Sequence, residues 1–183
     1  MEEAATHVLK SSADTENPQG ILGVFTRREL PLPARPDFVV IADGLRDPGN
    51  LGTLLRTAAA AGAQALLLTP GSVDAFSPKV LRAAMGAHFR LPLREWTFAE
   101  MTAWLKPACR VLVAESAAGT PCWKLDLRNP LALVIGSEAE GASAEARAMA
   151  DGLICIPMPG QSESLNAAIA AGILLFEVVR QRG

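Results

Sequence analysis

From Phe38 onward the chain alternates between short unbroken apolar runs and longer segments whose apolar residues recur every three or four positions. The run Phe38–Ala42, closed by Asp43-Gly44, predicts a strand buried on both faces. Ala65–Thr69, closed by Pro70-Gly71, reads the same way, as do Arg110–Ala114, Leu131–Ile135 ending at Gly136, and Leu153–Ile156. Helices are predicted over Asn50–Ala61 with Gly62 as stop signal, Pro78–Met85 with Ser77 as cap, Phe98–Leu105, Ala144–Ala150 and Ser164–Arg182. Buried strands alternating with helices define the fold class: α/β, with a mostly parallel Rossmann-like sheet flanked by helices. Residues 1–36 differ, being polar at first and then carrying Pro18, Pro31, Pro33 and Pro36. They predict a short strand at Ile21–Phe25 and an extended, semi-rigid linker over Leu30–Pro36.

The 183 residues suit one domain with at most a short appendage, and half of them are apolar. Tyr is absent, so Leu, Ala, Val and Ile must build the interior. A formal net charge of −2 argues against gripping nucleic acid by bulk positive charge. Any RNA contact must be local. Arg27, Arg28, Arg35, Arg46 and Arg56 are candidates for such a patch, or are simply solvated charges. The three cysteines (Cys109, Cys122, Cys155) show no disulfide framework and no zinc spacing, which fits a reducing cytoplasm. The first residues lack the pattern of a signal or transit peptide. Ala167–Phe176, the longest apolar stretch, falls short of the roughly 20 residues that span a bilayer. A cytoplasmic location without a membrane partner is expected.

Three loops follow buried strands, where open parallel sheets bind ligands. The first, Asp43 to Gly52, leads into a helix carrying Arg56 and offers Asn50 and Arg56 to a ligand. The plainer alternative has Asn50 capping that helix and Arg56 facing water. The second, Gly136-Ser-Glu-Ala-Glu-Gly141, lacks G-x-G-x-x-G spacing, and its carboxylates would repel a pyrophosphate. It suits a cationic, neutral or hydroxyl-bearing ligand, unless Glu138 merely caps the next helix. The third, Ile156 to Asn166, is stiffened by two prolines and a glycine, and it brings hydroxyls and an amide to a helix start. Ser162, Ser164 or Asn166 could serve only as that helix's cap.

Hydrolase chemistry is poorly supported. Gly160-Gln-Ser-Glu-Ser lacks the closing glycine of a nucleophile elbow, and only His7 and His88 are available for a triad. Neither histidine has a second ligand at metal spacing, so no metal is expected.

Taken together, the three loops resemble the signature motifs of the SpoU/TrmH family of RNA ribose methyltransferases, within the SPOUT superfamily. The matching residues are Asn50, Gly52, Arg56 and Gly62, then Leu133-Val-Ile-Gly-Ser-Glu-Ala-Glu-Gly141, then Ile156-Pro-Met158 with Ser164-Leu-Asn166 and Phe176-Glu177. The resemblance implies a C-terminal deep trefoil knot, which breaks the usual topology rule. It implies an S-adenosylmethionine pocket touched by Gly136, Ile156 and Leu165, with Glu115, Ser116 and Met158 beside them. It also implies a homodimer in which Arg56 of one subunit reaches the other's cofactor. Ala167, Ala168, Ala170, Ala171 and Gly172 would permit close helix packing there, or ordinary packing within one subunit.

The implied reaction is methylation of a ribose 2′-hydroxyl of rRNA or tRNA, with rRNA favoured. Arg56 is read as an electrostatic clamp, because a guanidinium with a pKa above about 12 is a poor base. Asn50, Glu138, Ser164 and Asn166 complete the implied catalytic set. Residues 1–35 are read as the remnant of an N-terminal substrate-binding domain plus linker, and 36–183 as the knotted methyltransferase domain. The alternative function is a catalytically silent dimeric RNA- or cofactor-binding module of the same fold. A small-molecule methyltransferase on an unknotted sheet would need an acidic residue where Thr69-Pro70 stands.

Overall fold

A computed structural model describes all residues except 1, 2, 4, 14–19, 107, 117 and 161–163. Among the described residues seven strands form one sheet: β1 (Phe38–Asp43), β2 (Ala65–Leu68), β3 (Leu93–Glu95), β4 (Arg110–Glu115), β5 (Thr120–Pro121), β6 (Leu131–Gly136) and β7 (Gly152–Cys155). Their order is β3-β2-β1-β6-β4-β7-β5, and every pairing is parallel. The helices are α1 (Thr6–Ser12), α2 (Pro48–Ala60), α3 (Pro78–Ala84), α4 (Phe98–Leu105), α5 (Ala144–Met149) and α6 (Ala167–Arg182).

Side chains alternate across a strand, so each buried run feeds two apolar layers. Val40, Leu66, Leu112 and Leu133 face Leu51, Leu54 and Leu55 of α2, Val80 of α3, and Leu174, Leu175 and Val178 of α6. On the other face Val39, Ile41, Val111 and Val134 pack with Met101 and Leu105 of α4 and with Ala146 and Met149 of α5. The central pair β1–β6 runs in register from Phe38 opposite Leu131 to Asp43 opposite Gly136. The loops that follow them therefore leave the same edge side by side.

Asp43 binds those loops together. Its buried carboxylate accepts from the Ser143 N–H at 2.7 Å and from the Thr69 hydroxyl at 3.2 Å. Loops after β1, β2 and β6 thus meet on one side chain.

Several local expectations change. Ile21–Phe25 forms no strand; it has no neighbouring strand to pair with and lies exposed. The chain meets the domain at Phe25, whose ring lies edge to face on Phe89, and further on, where Arg94 donates to the Leu30 carbonyl at 2.8 Å and Arg27 stacks on Phe76 at 3.9 Å. β3 and β5 escape sequence reading because they are two or three residues long and borrow their pairing from neighbours. Asp47, not Asn50, caps α2, its carboxylate accepting from the Asn50 N–H at 2.7 Å. Ser77 holds the cap position of α3 but makes no cap hydrogen bond, and α3 closes at Met85 in the left-handed region (φ 49°). α6 begins at Ala167 rather than at Ser164.

Candidate active site

At the carboxyl edge of the sheet a cavity of about 310 Å³ opens between the ends of β4, β6 and β7 and the start of α6. Its walls include Glu115, Ser116, Gly136, Glu138, Ile156, Met158, Ser164 and Leu165, all residues singled out in the sequence. Ile135, Ile154 and Leu174 give it an apolar floor.

Gly136 is required where it stands. A Cβ there would lie 2.3 Å from the Ala142 nitrogen and the Gly141 carbonyl carbon. This closeness lets the loop fold back on itself, with Ser137 and Gly141 exchanging two backbone hydrogen bonds of 3.0 Å. Glu138 does not cap the next helix. Ser143 does so, accepting from the Ala146 N–H at 3.1 Å, and this leaves the Glu138 carboxylate at the pocket.

A directional chain of side-chain amides crosses the rim. Backbone N–H groups of Ala168 and Ile169 at the start of α6 donate to Asn166 Oδ1, at 3.0 and 3.2 Å. Asn166 Nδ2 donates to Asn50 Oδ1 at 2.9 Å, and Asn50 Nδ2 donates to the Glu138 carboxylate. Because an ionised carboxylate only accepts, it dictates the orientation of both amides back to the helix end. Asn166 is thus both the cap of α6 and a member of this chain. Ser162 lies outside the described residues.

Among the described residues the walls are acidic, with Glu115, Glu138 and Glu140 against one cation, Arg147. Arg147 donates to Glu115 at 2.8 Å, and this hydrogen bond, then the carboxylate's charge, raises the guanidinium further above its ordinary range. Sequence reasoning missed Arg147, since its partner lies 32 residues away and nothing local marks it out.

Arg56 is not among these walls; it is exposed on α2. Six residues beyond Asn50, it stands about 9 Å farther along the helix and about 120° around it. Within one subunit Arg56 and the amide chain therefore point apart. Ala167, Ala168 and Ala171 are buried inside the subunit, and Gly172 faces Thr57 of α2, so these small residues serve internal packing. The side of α6 left exposed is a large apolar stripe, Ile169, Ile173, Phe176 and Val179.

Among the described residues no cluster of His, Cys, Asp and Glu would hold a metal ion, and no helix is long and apolar enough to cross a membrane.

Residues 37–176 match the SpoU rRNA methylase family, and the chain belongs to it. It is 37% identical to mitochondrial rRNA methyltransferase 3 of Mus musculus over 94% of this chain and 55% of that protein. It is also 37% identical to the 23S rRNA (guanosine(2553)-2′-O)-methyltransferase RlmP of Bacillus subtilis, over 90% of this chain and 66% of the relative. The chain thus spans between about half and two-thirds of these relatives' lengths. Among solved structures, an AdoMet-bound rRNA methyltransferase from Sinorhizobium meliloti superposes with a TM-score of 0.88 at 34% identity, covering 96% of this chain and 70% of that one.

Proposed function

We propose that this chain is the catalytic domain of an S-adenosylmethionine-dependent methyltransferase acting on a ribose 2′-hydroxyl of RNA, with rRNA as the substrate class. The observation that carries the reading is the pocket itself. The carboxylates of Glu115, Glu138 and Glu140 around apolar walls suit a ligand bearing sulfonium and ammonium charges, and 310 Å³ falls at the lower end of cofactor-sized cavities. Gly136, Ile156, Met158 and Leu165 would hold the cofactor, with Glu115 and Ser116 at its flank. When bound, it supplies an electrophilic methyl group.

The chain's own residues orient the acceptor. Asn50, Glu138 and Asn166 form a fixed polar rail along the pocket rim, which with Ser164 positions the ribose. Fixing the hydroxyl in line with the methyl group is worth several orders of magnitude in rate. Arg56 clamps RNA phosphate and stabilises the developing alkoxide, while the proton leaves to phosphate or water.

Because Arg56 points away from its own subunit's amide chain, it serves the pocket of a second copy. The exposed apolar stripe on α6 supports this homodimer, since such surfaces mark interfaces. A trefoil knot in the C-terminal segment is supported by β7, which is inserted between β4 and β5, strands adjacent in sequence. Residues 36–183 make up the knotted domain, residues 1–35 belong to a substrate-binding region, and the site of action is the cytoplasm.

The test is transfer of labelled methyl from S-adenosylmethionine to unmodified rRNA. Label in alkali-stable dinucleotides is expected, because a methylated 2′-oxygen blocks cleavage of the adjoining phosphodiester. Label released by alkali into mononucleotides would overturn the reading.

A further inference from the structure

The stretch Ala75–Arg94 lies outside the pocket and is not used by the proposed reaction. It carries Lys79, Arg82, Arg90 and Arg94 and none of the chain's 19 carboxylates, in a protein of net charge −2. Arg94 pairs with Glu29 at 3.4 Å, and Lys79 and Arg90 are exposed. Large apolar side chains stand between these cations. Met85 and Phe89 are each 67% exposed, and Phe89 meets the 73% exposed Phe25 edge to face, with centroids 5.6 Å apart. Met85 is the single non-glycine residue with positive φ among the described residues, so the chain accepts an unfavourable backbone to turn sharply between α3 and the 3-10 turn Ala87–Phe89.

This combination of exposed cations and open aromatic faces, on a stretch that carries no carboxylate of its own, has one fitting partner chemistry. We infer that the α3–Phe89 face binds single-stranded RNA flanking the target nucleotide, with Phe89 and Phe25 as stacking platforms and Lys79 and Arg90 on the phosphates. Every base has a π-face, so stacking tolerates any sequence, while cations follow the backbone.

The location agrees with the chemistry, and here the inference rests on the reading of the chain as an RNA ribose methyltransferase. α2 and α3 are in near backbone contact at Gly52, where a Cβ would lie 2.4 Å from that of Ala83. Arg56 follows one helical turn later on the same side of α2. The face therefore continues from Arg56, and in the homodimer it extends the pocket that Arg56 serves. A strand whose ribose enters that pocket would run directly onto it.

The test uses the whole 183-residue chain and a fluorescein-labelled, unstructured 12-nucleotide RNA, with anisotropy titrations over a salt series. Phe89→Ala should weaken binding about tenfold and Phe89→Trp should retain it, as stacking requires. The pair Lys79→Gln and Arg90→Gln should reduce the salt slope by about 1.4, for two phosphates on a single strand. Unchanged affinity in Phe89→Ala together with an unchanged slope in the charge variants would overturn the inference and assign the face to another protein surface. Methyl transfer by the unaltered chain, measured in parallel, reads the proposed activity separately. An active chain with indifferent variants loses only this face, and an inactive chain with sensitive variants loses only the activity.

Discussion

Asn50 donates a side-chain hydrogen bond to Glu138, a residue 88 positions away on the loop after β6. The bond joins the first and second signature loops beside the pocket that Glu138 lines, and Asn166 extends it to the third. Asn50→Ala would leave the Glu138 carboxylate without this donor and free the Asn166 amide. Hydrogen bonds to charged groups are worth about 1.5–3 kcal/mol, and the site's partial exposure puts the effect at the lower end. Methyl transfer in kcat/KM should fall at least about tenfold. Asn50→Asp should fall further, because two carboxylates would then face each other. Steady-state kinetics on the two variants checks the order.

Gly136→Ala tests the folded-back loop. The new methyl group would meet backbone atoms at 2.3 Å, and backbone cannot step aside as a flexible side chain can. A cost of about 3 kcal/mol, equivalent to a Tm lower by about 6–12 °C, is expected, together with lost cofactor binding in calorimetry. Gly160→Ala is the control, since nothing lies within 4 Å of a Cβ there.

The cysteines should differ in reactivity. Burial, then the charge of Asp37, pushes the Cys109 thiol up to about 11, and burial with the charge of Glu177 also raises Cys122. Only the thiolate attacks an alkylating agent. At pH 8 iodoacetamide should modify the partly exposed Cys155 first, with Cys109 and Cys122 protected until the protein is unfolded. Peptide mass spectrometry reads the order of labelling.

Acid should loosen the last helix. Hydrogen bonds from Arg180 and Gln181 hold the Glu177 carboxyl down at about 2, and Gln181 also binds the Leu125 carbonyl at 3.1 Å. A carboxyl with a lowered folded pKa contributes stability above its unfolded value, near 4.5, and loses it as pH falls toward 2. Asp151 adds to the same limb. Its burial would raise it, but hydrogen bonds from Lys106 and from the Val111 N–H outweigh that and lower its pKa. In calorimetric melts Glu177→Gln should flatten the decline of Tm between about pH 4.5 and pH 2 and lower Tm at pH 7.

How much of this was legible beforehand depended on the range of the interaction. β1, β2, β4 and β6 and the helices α2 to α6 could be read because burial on both faces leaves unbroken apolar runs, and helices leave their own period. β5 could not, since Thr120-Pro121 is a strand only by virtue of lying against β7. Ile21–Phe25 misled in the opposite sense, because it has a strand's composition and no partner. The pocket residues were found through motif order, yet the Glu115–Arg147 pair is visible only once β4 and α5 are side by side. Local sequence suggested Asn50 as a cap, whereas Asp47 takes that task and frees the Asn50 side chain for Glu138.

The composite site can be tested by mixing subunits. Arg56→Ala and Glu138→Ala should each abolish formation of 2′-O-methyl nucleosides when assayed alone. In a mixed dimer one of the two sites regains an intact Arg56 from one chain and an intact Glu138 from the other. Co-folding equal amounts of the variants should therefore restore about a quarter of wild-type turnover, because half of the dimers are mixed and each has one working site. No recovery in mixtures proven by mass to contain the mixed dimer would contradict an arginine supplied across subunits.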